Sequence, residues 1–253
     1  MPFTAAHPLA VVPLVRARWL DATCLVIGSM APDFEYFVRA QQVSTISHTA
    51  RGLWLWDLPV TLALAAVFHA LVVWPMVMIA PPAIARRLVG GIRWRWRAAA
   101  IGPCVISALI GGATHLAWDA FTHAQGWGPQ HYRVLKQPIA LPLVGPMAAH
   151  RVLQHASTVI GLVVLMIVVI RAVRRGRPVA LPDVRRAGPR GLVAGCVLAL
   201  AGLAVARLVG KHATDPGDLI VGVIAGALAG VIVASAIVTP RAQRFRRAIA
   251  TSP

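Results

Sequence analysis

The chain reads as an all-α polytopic membrane protein, with about five transmembrane helices after short N-terminal amphipathic or re-entrant helices. Three observations lead there. Of its 253 residues 58% are hydrophobic and only 13% charged, about half the charged share of an ordinary soluble domain. The mean hydropathy is +0.70. The apolar residues are bunched into runs of roughly 20, the length that crosses a bilayer, instead of being spread at helical period.

The first apolar piece, residues 9–30, is interrupted by Arg16, Arg18 and Asp21 and reads as two short interfacial pieces. The first clean span is 58–80. Asp57 stands where a helix cap belongs, with Pro59 in the first turn. Spans at 98–118, 152–170, 191–209 and 219–238 follow. The Gly and Ala run from Gly222 to Gly230 suits close helix packing. The organisation is one integral membrane domain over 1–253: an N-terminal segment (1–57) that contributes candidate ligands, a transmembrane bundle (58–239) and a basic cytoplasmic tail (240–253).

The net charge is +17, and Lys136 and Lys211 are the only lysines. In a soluble chain such charge would suggest nucleic acid. No basic amphipathic helix or aromatic-studded motif accompanies it here, so the expected partner is membrane lipid and not nucleic acid. The arginines lie between the spans. One cluster holds Arg86, Arg87, Arg93, Arg95 and Arg97, a second runs from Arg171 to Arg190, and a third holds Arg241, Arg244, Arg246 and Arg247. With five spans the three clusters share a side, and the positive-inside rule makes it the cytoplasm. The expectation is a multi-pass bacterial inner-membrane protein with a cytoplasmic C-terminus. Residues 1–57 and the 119–151 loop then share the outer face.

Cys24, Cys104 and Cys196 are isolated within apolar stretches. They read as small core hydrophobes, with no disulfide or thiolate-zinc spacing. The N-terminus lacks the basic region of a cleavable signal peptide.

The chemistry concentrates on the outer face. His115, Asp119 and His123 are spaced by four, so on a helix they occupy one stripe about 80° wide. Imidazole, carboxylate and imidazole form a ligand set suited to zinc. A hydrogen-bonded pair at a helix end is the plainer reading of His115 and Asp119. Asp33 follows Pro32 at a chain bend and is either a carboxylate aimed into a cavity or a helix cap. His48, just before the first span, is either a ligand or an interfacial histidine, and His7 carries a weaker individual signal. His69 lies mid-span, where an imidazole needs an internal partner. Around this set, His150, Gln154 and His155 could support the ligands or touch substrate. Arg133, Lys136 and Arg151 suit an anionic, phosphorylated substrate as well as ordinary headgroup contacts. No GxxxxGK[ST] loop, GxSxG elbow or HExxH motif is present.

Several motifs together carry a resemblance. They are Met1-Pro2-Phe3-Thr4 with His7-Pro8, Ile27-Gly28-Ser29-Met30-Ala31-Pro32-Asp33-Phe34, Ser47-His48-Thr49, the run from His115 to His123, and Gln154-His155-Ala156-Ser157. In this order they resemble the DUF4184 family of bacterial membrane proteins, whose function is uncharacterised. The plan is also similar to the membrane-bound metal-dependent hydrolases that include the YdjM-like (DUF457) proteins. More remotely, it is similar to the zinc-dependent phospholipases C and related nucleases. That likeness implies Asp33, His48, His115 and Asp119 as metal ligands, with His123 and His7 completing the cluster. Two departures limit it. His150 is followed at the fourth position by Gln154, where those enzymes carry a carboxylate, and no N-terminal tryptophan offers its amine. One or two zinc ions are therefore expected, not three.

The functional expectation is a metal-dependent hydrolase acting on a phosphoester of a lipid or lipid-linked substrate at the outer membrane face. Asp119 would bridge two ions, or hold one while Asp33 acts as base. The alternative is a non-enzymatic membrane protein, a metal transporter or a metal-stabilised scaffold.

Overall fold

The computed structural model describes residues 4–89, 101–142, 144–181 and 216–250. Its described elements are almost all helical. Among the described residues four helices are long and apolar enough to cross a membrane: Leu53–Ile79, Ile101–His131, Ala149–Arg175 and Gly217–Ile249. The expected span at 191–209 lies outside the described residues.

The N-terminal apolar piece is divided as its charges require. A 3-10 helix runs over Thr4–Leu14 and contains Pro8 and Pro13. Prolines without N–H groups suit such a tight, irregular turn better than an α-helix. Helix α1 (Ala22–Gly28) starts at Asp21, whose side chain accepts a hydrogen bond from the Cys24 N–H. Pro32 then sits at the start of a single 3-10 turn, Ala31–Asp33, which leads into α2 (Phe34–Arg39).

Helix α3 (Leu53–Ile79) begins earlier than expected. Thr49 Oγ1 accepts from the Gly52 N–H at 2.9 Å, and the Leu53 N–H reaches Thr49 O. Thr49 is thus the cap, and Asp57 lies buried within the first turns of the helix. The Thr49 hydroxyl, eight residues before Asp57, captured the orphan donors first. Two π-helical turns, Leu53–Asp57 and Phe68–Val72, interrupt α3.

Helix α4 (Pro82–Val89) and α5 (Ile101–Thr122) come next, followed by α6 (Trp127–His131). A two-stranded antiparallel hairpin, β1 (Pro138–Leu141) and β2 (Gly145–Ala148), precedes α7 (Ala149–Arg175). Helix α8 spans Pro216–Ala250.

The contacts divide the chain into two compact units. One comprises 1–34, 45–63 and 96–170; the other comprises 35–44, 64–95 and 171–253. In the first, α1 packs against α5 more extensively than any other pair of elements. Glycines permit this: a Cβ on Gly28 would lie 2.7 Å from Ala108 O, and one on Gly111 2.5 Å from Leu25 O. The two backbones touch because neither glycine has a side chain. In the second unit the core is formed by Val77 and Met78 of α3, Ala85 and Val89 of α4, and Val238, Ala242 and Phe245 of α8.

Candidate metal centre

Four segments of the first unit converge on one buried point. The 3-10 helix brings His7, the turn after α1 brings Asp33, the loop before α3 brings His48, and α5 brings His115 and Asp119 on successive turns. His7, Asp33, His115 and Asp119 are all buried.

The ring of His115 is oriented from behind. Its Nδ1 lies 2.8 Å from the carbonyl oxygen of Ser29. A carbonyl only accepts, so Nδ1 carries a proton, and the neutral ring offers its Nε2 lone pair to the cluster. That Nε2 is 3.5 Å from Asp33 Oδ1 and 3.3 Å from Asp119 Oδ2. His48 repeats the arrangement. Its Nδ1 is 3.0 Å from Ser47 Oγ, and its Nε2 is 3.5 Å from both Asp33 Oδ1 and Asp119 Oδ2. His7 stacks on His115 with ring centroids 3.7 Å apart, and its Nε2 is 3.8 Å from Asp119 Oδ1.

These separations are long for hydrogen bonds. Among the described residues, His7 Nε2, His115 Nε2 and all four carboxylate oxygens of Asp33 and Asp119 meet no hydrogen-bond partner. Buried polar atoms left so are rare and costly. The spacing suits a cation instead. Ligands about 2.1 Å from a tetrahedral ion stand about 3.4 Å apart; the four His–Asp distances among His48, His115, Asp33 and Asp119 are 3.3–3.5 Å, and two triads, His7–Asp33–His115 and His48–His115–Asp119, each bring their donor atoms within 4.8 Å of one another. The residues present therefore fit a divalent metal.

The electrostatics agree with an ion-ready site. Burial would lower the His48 pKa, but the carboxylates of Asp119 and Asp33 outweigh it and raise it to about 9. Burial would raise the Asp33 pKa, yet His48, His115 and His7 hold its carboxyl below the usual range. Burial, followed by the neighbouring His115, brings His7 down to about 4. It is thus a neutral imidazole at pH 7, the form that ligates metal.

The other expected residues are placed differently. His123 is at the rim, with Nδ1 3.6 Å from Asp119 Oδ1 but also 3.1 Å from the backbone oxygen of Asp119. Its Nδ1–H is committed to that carbonyl, so only Nε2 keeps a free lone pair. His150 is buried, but its Nδ1 is 2.9 Å from Leu135 O, a contact that fixes the loop before α7. Gln154 is buried, while His155, Arg133 and Arg151 are exposed. No contact of these four side chains with the cluster is recorded among the described residues.

Sequence reasoning missed a second grouping. Donor atoms of Asp21, Cys24 and Cys104 lie within 4.8 Å of one another. The two cysteines are 80 residues apart, and only the α1–α5 contact joins them. Burial raises the Cys24 thiol pKa and keeps it protonated, consistent with packing.

A family model described as a domain of unknown function, DUF4184, matches residues 1–236. The chain belongs to the DUF4184 family. That match covers every element that supplies the cluster. No curated protein and no solved structure matches the chain.

Proposed function

We propose that this DUF4184 protein is a membrane-embedded, metal-dependent hydrolase acting on a phosphoester of a lipid or lipid-linked substrate. The observation that carries this reading is the quartet of His48, His115, Asp33 and Asp119, whose facing atoms are spaced for a divalent ion. Zinc is the metal of choice for two imidazoles and two carboxylates. When bound, it would polarise the phosphoester and acidify a water. His115 has one free lone pair, because Ser29 takes the other nitrogen, and so serves one ion. A second ion would have to rely on Asp119 Oδ1, His7 and His123, with Asp119 bridging.

The chain's own groups would do the rest. With the ion held by His48, His115 and Asp119, and a water in its fourth position, Asp33 would act as the base that accepts the proton of that water. His7, neutral at pH 7, adds a further donor beside the quartet. An apolar pocket of roughly 180 Å³, lined by Ala6, Leu9, Ala10, Trp118 and Ser157, opens against His7. Its lining supports a substrate with an apolar chain. The basic loops between spans support an inner-membrane protein with a cytoplasmic C-terminus and the cluster at the outer face.

The second reading, a metal-stabilised scaffold, draws on the same quartet, since four protein ligands are how structural zinc is closed off. Metal analysis of detergent-purified protein tests both. The hydrolase reading expects about one zinc per chain, lost in His115→Ala, and metal-dependent turnover of phospholipid or phosphodiester. Metal without turnover favours the scaffold. Substoichiometric zinc, manganese and iron overturns both. Reporter fusions that placed the 119–151 loop in the cytoplasm would overturn the orientation.

A further inference from the structure

The second unit contains a cavity that the cluster does not use. It lies between α3 and α8, has a volume of roughly 260 Å³, and is walled by His69, Trp74, Thr239, Ala242, Gln243 and Arg246 among others. Its floor is fixed, because Ala242 also belongs to the packed core with Val77, Met78 and Phe245. Part of the α3 wall is the π-helical turn Phe68–Val72, a local widening of the kind that recurs at functional sites.

The lining has one sign of charge. Arg246 lies over the Trp74 ring, 5.8 Å from its centroid, which orients the guanidinium through its flat face. Among the described residues no carboxylate pairs with it, and none lines the cavity. Gln243 adds amide donors beside it. The Thr239 hydroxyl is already spent on Ser235 O at 2.8 Å, so the donors that remain on the lining are the guanidinium, the amide and the buried Trp74 Nε1–H, which meets no hydrogen-bond partner among the described residues. Arg241, Arg244 and Arg247 surround the same end of α8. Ala70, Pro75, Ala242 and the Trp74 ring supply the apolar part of the lining. A basic pocket between membrane helices, lined by both polar and apolar groups, has the form that holds phosphate-bearing headgroups.

We propose that this cavity is a second binding site, separate from the metal cluster, for a phosphate group held by the fork of Arg246 and the amide of Gln243. Two sources carry that chemistry: an anionic phospholipid headgroup and free inorganic phosphate.

Native mass spectrometry of the detergent-purified full chain tests this with phosphatidylglycerol, phosphatidylcholine and inorganic phosphate as separate probes. The site predicts retained phosphatidylglycerol adducts in at least tenfold excess over phosphatidylcholine, or saturable uptake of phosphate. In either case binding falls about tenfold or more in Arg246→Gln and persists in Arg244→Gln. Phosphatidylglycerol that millimolar phosphate cannot displace identifies the lipid as the source; phosphate bound without lipid preference identifies the free anion. Gln243→Leu, at the exposed rim, is expected to weaken the same ligand and covers the case in which Arg246→Gln lowers the melting temperature of the ligand-free protein. Binding of neither probe overturns the proposal. So does equal loss in Arg244→Gln and Arg246→Gln, which would report surface charge alone.

Discussion

His115 and Ser29 are joined by a 2.8 Å contact between Nδ1 and the carbonyl oxygen, across 86 residues of chain. The contact exists because α1 and α5 approach until their backbones touch at Gly28 and Gly111. A Cβ on Gly111 would lie 2.5 Å from Leu25 O and 2.6 Å from Ser29 N, and backbone cannot yield as a side-chain tip can. Gly111→Ala should therefore push α1 away and lose the orientation of His115. Overpacking of this kind costs about 1–3 kcal/mol. The expected outcome is a lower melting temperature together with weaker zinc retention. Gly102→Ala, where a Cβ meets nothing within 4 Å, should change neither.

Metal-free and metal-loaded protein should respond to pH with opposite signs. In the metal-free cluster His48 has its pKa raised from 6.5 to about 9. Its contribution to stability is complete below 6.5 and is lost as pH rises through 9. Metal binding requires the neutral imidazole and so strengthens over the same interval. Melting temperature should then fall between pH 6.5 and 9 in chelator-treated protein and rise in the zinc-loaded form. Zinc uptake at pH 7 should release at least one proton. His7, lowered to about 4, is already neutral there and releases none. Calorimetry in buffers of different ionisation enthalpy measures that proton count.

Much of the cluster was legible because α-helical spacing links His115 to Asp119 without any knowledge of tertiary structure. The Pro32-Asp33 bend was legible too, but its burial was not. That depends on α1 docking against α5 through glycines whose role is visible only in three dimensions. His123 shows the converse. Its spacing is as good as that of His115, yet at the end of α5 its ring turns back onto a carbonyl of its own helix. Asp57 has the residue type of a cap but not the position, because Thr49 competes for the same orphan donors and sequence does not rank the two. Cys24 and Cys104 carried no spacing signal at all, since their meeting is a product of the helix contact.

Ser47 should matter to metal affinity through His48. Its hydroxyl lies 3.0 Å from His48 Nδ1, on the side of the ring away from the carboxylates. Partners of this kind set ring orientation and basicity, and their loss costs about 10–100-fold in metal affinity. Ser47→Ala should weaken zinc by that factor in chelator competition. Thr49→Ala removes a helix cap instead. It should lower the melting temperature, by roughly 1 kcal/mol of stability, with zinc affinity less affected.

The apolar pocket beside His7 supplies the last prediction. Trp118 Nε1 donates to Ser157 Oγ at 3.4 Å, and the Ser157 hydroxyl donates to Gln154 O at 2.9 Å. The two polar groups of the wall thus satisfy each other or the backbone, and what remains is apolar surface. A chain lying there would end against His7, whose Nε2 is 3.8 Å from Asp119 Oδ1. Ala10 is exposed on this wall, so Ala10→Trp should fill the pocket without touching the cluster. Displacing even two methylenes of substrate, at about 0.8 kcal/mol each, costs roughly tenfold. The expected outcome is a fall of about tenfold or more in kcat/KM for a long-chain phospholipid, with zinc content unchanged. A short-chain, water-soluble phosphodiester should be hydrolysed as before. Equal losses on both substrates would show that the pocket serves the cluster's structure and does not select an apolar chain.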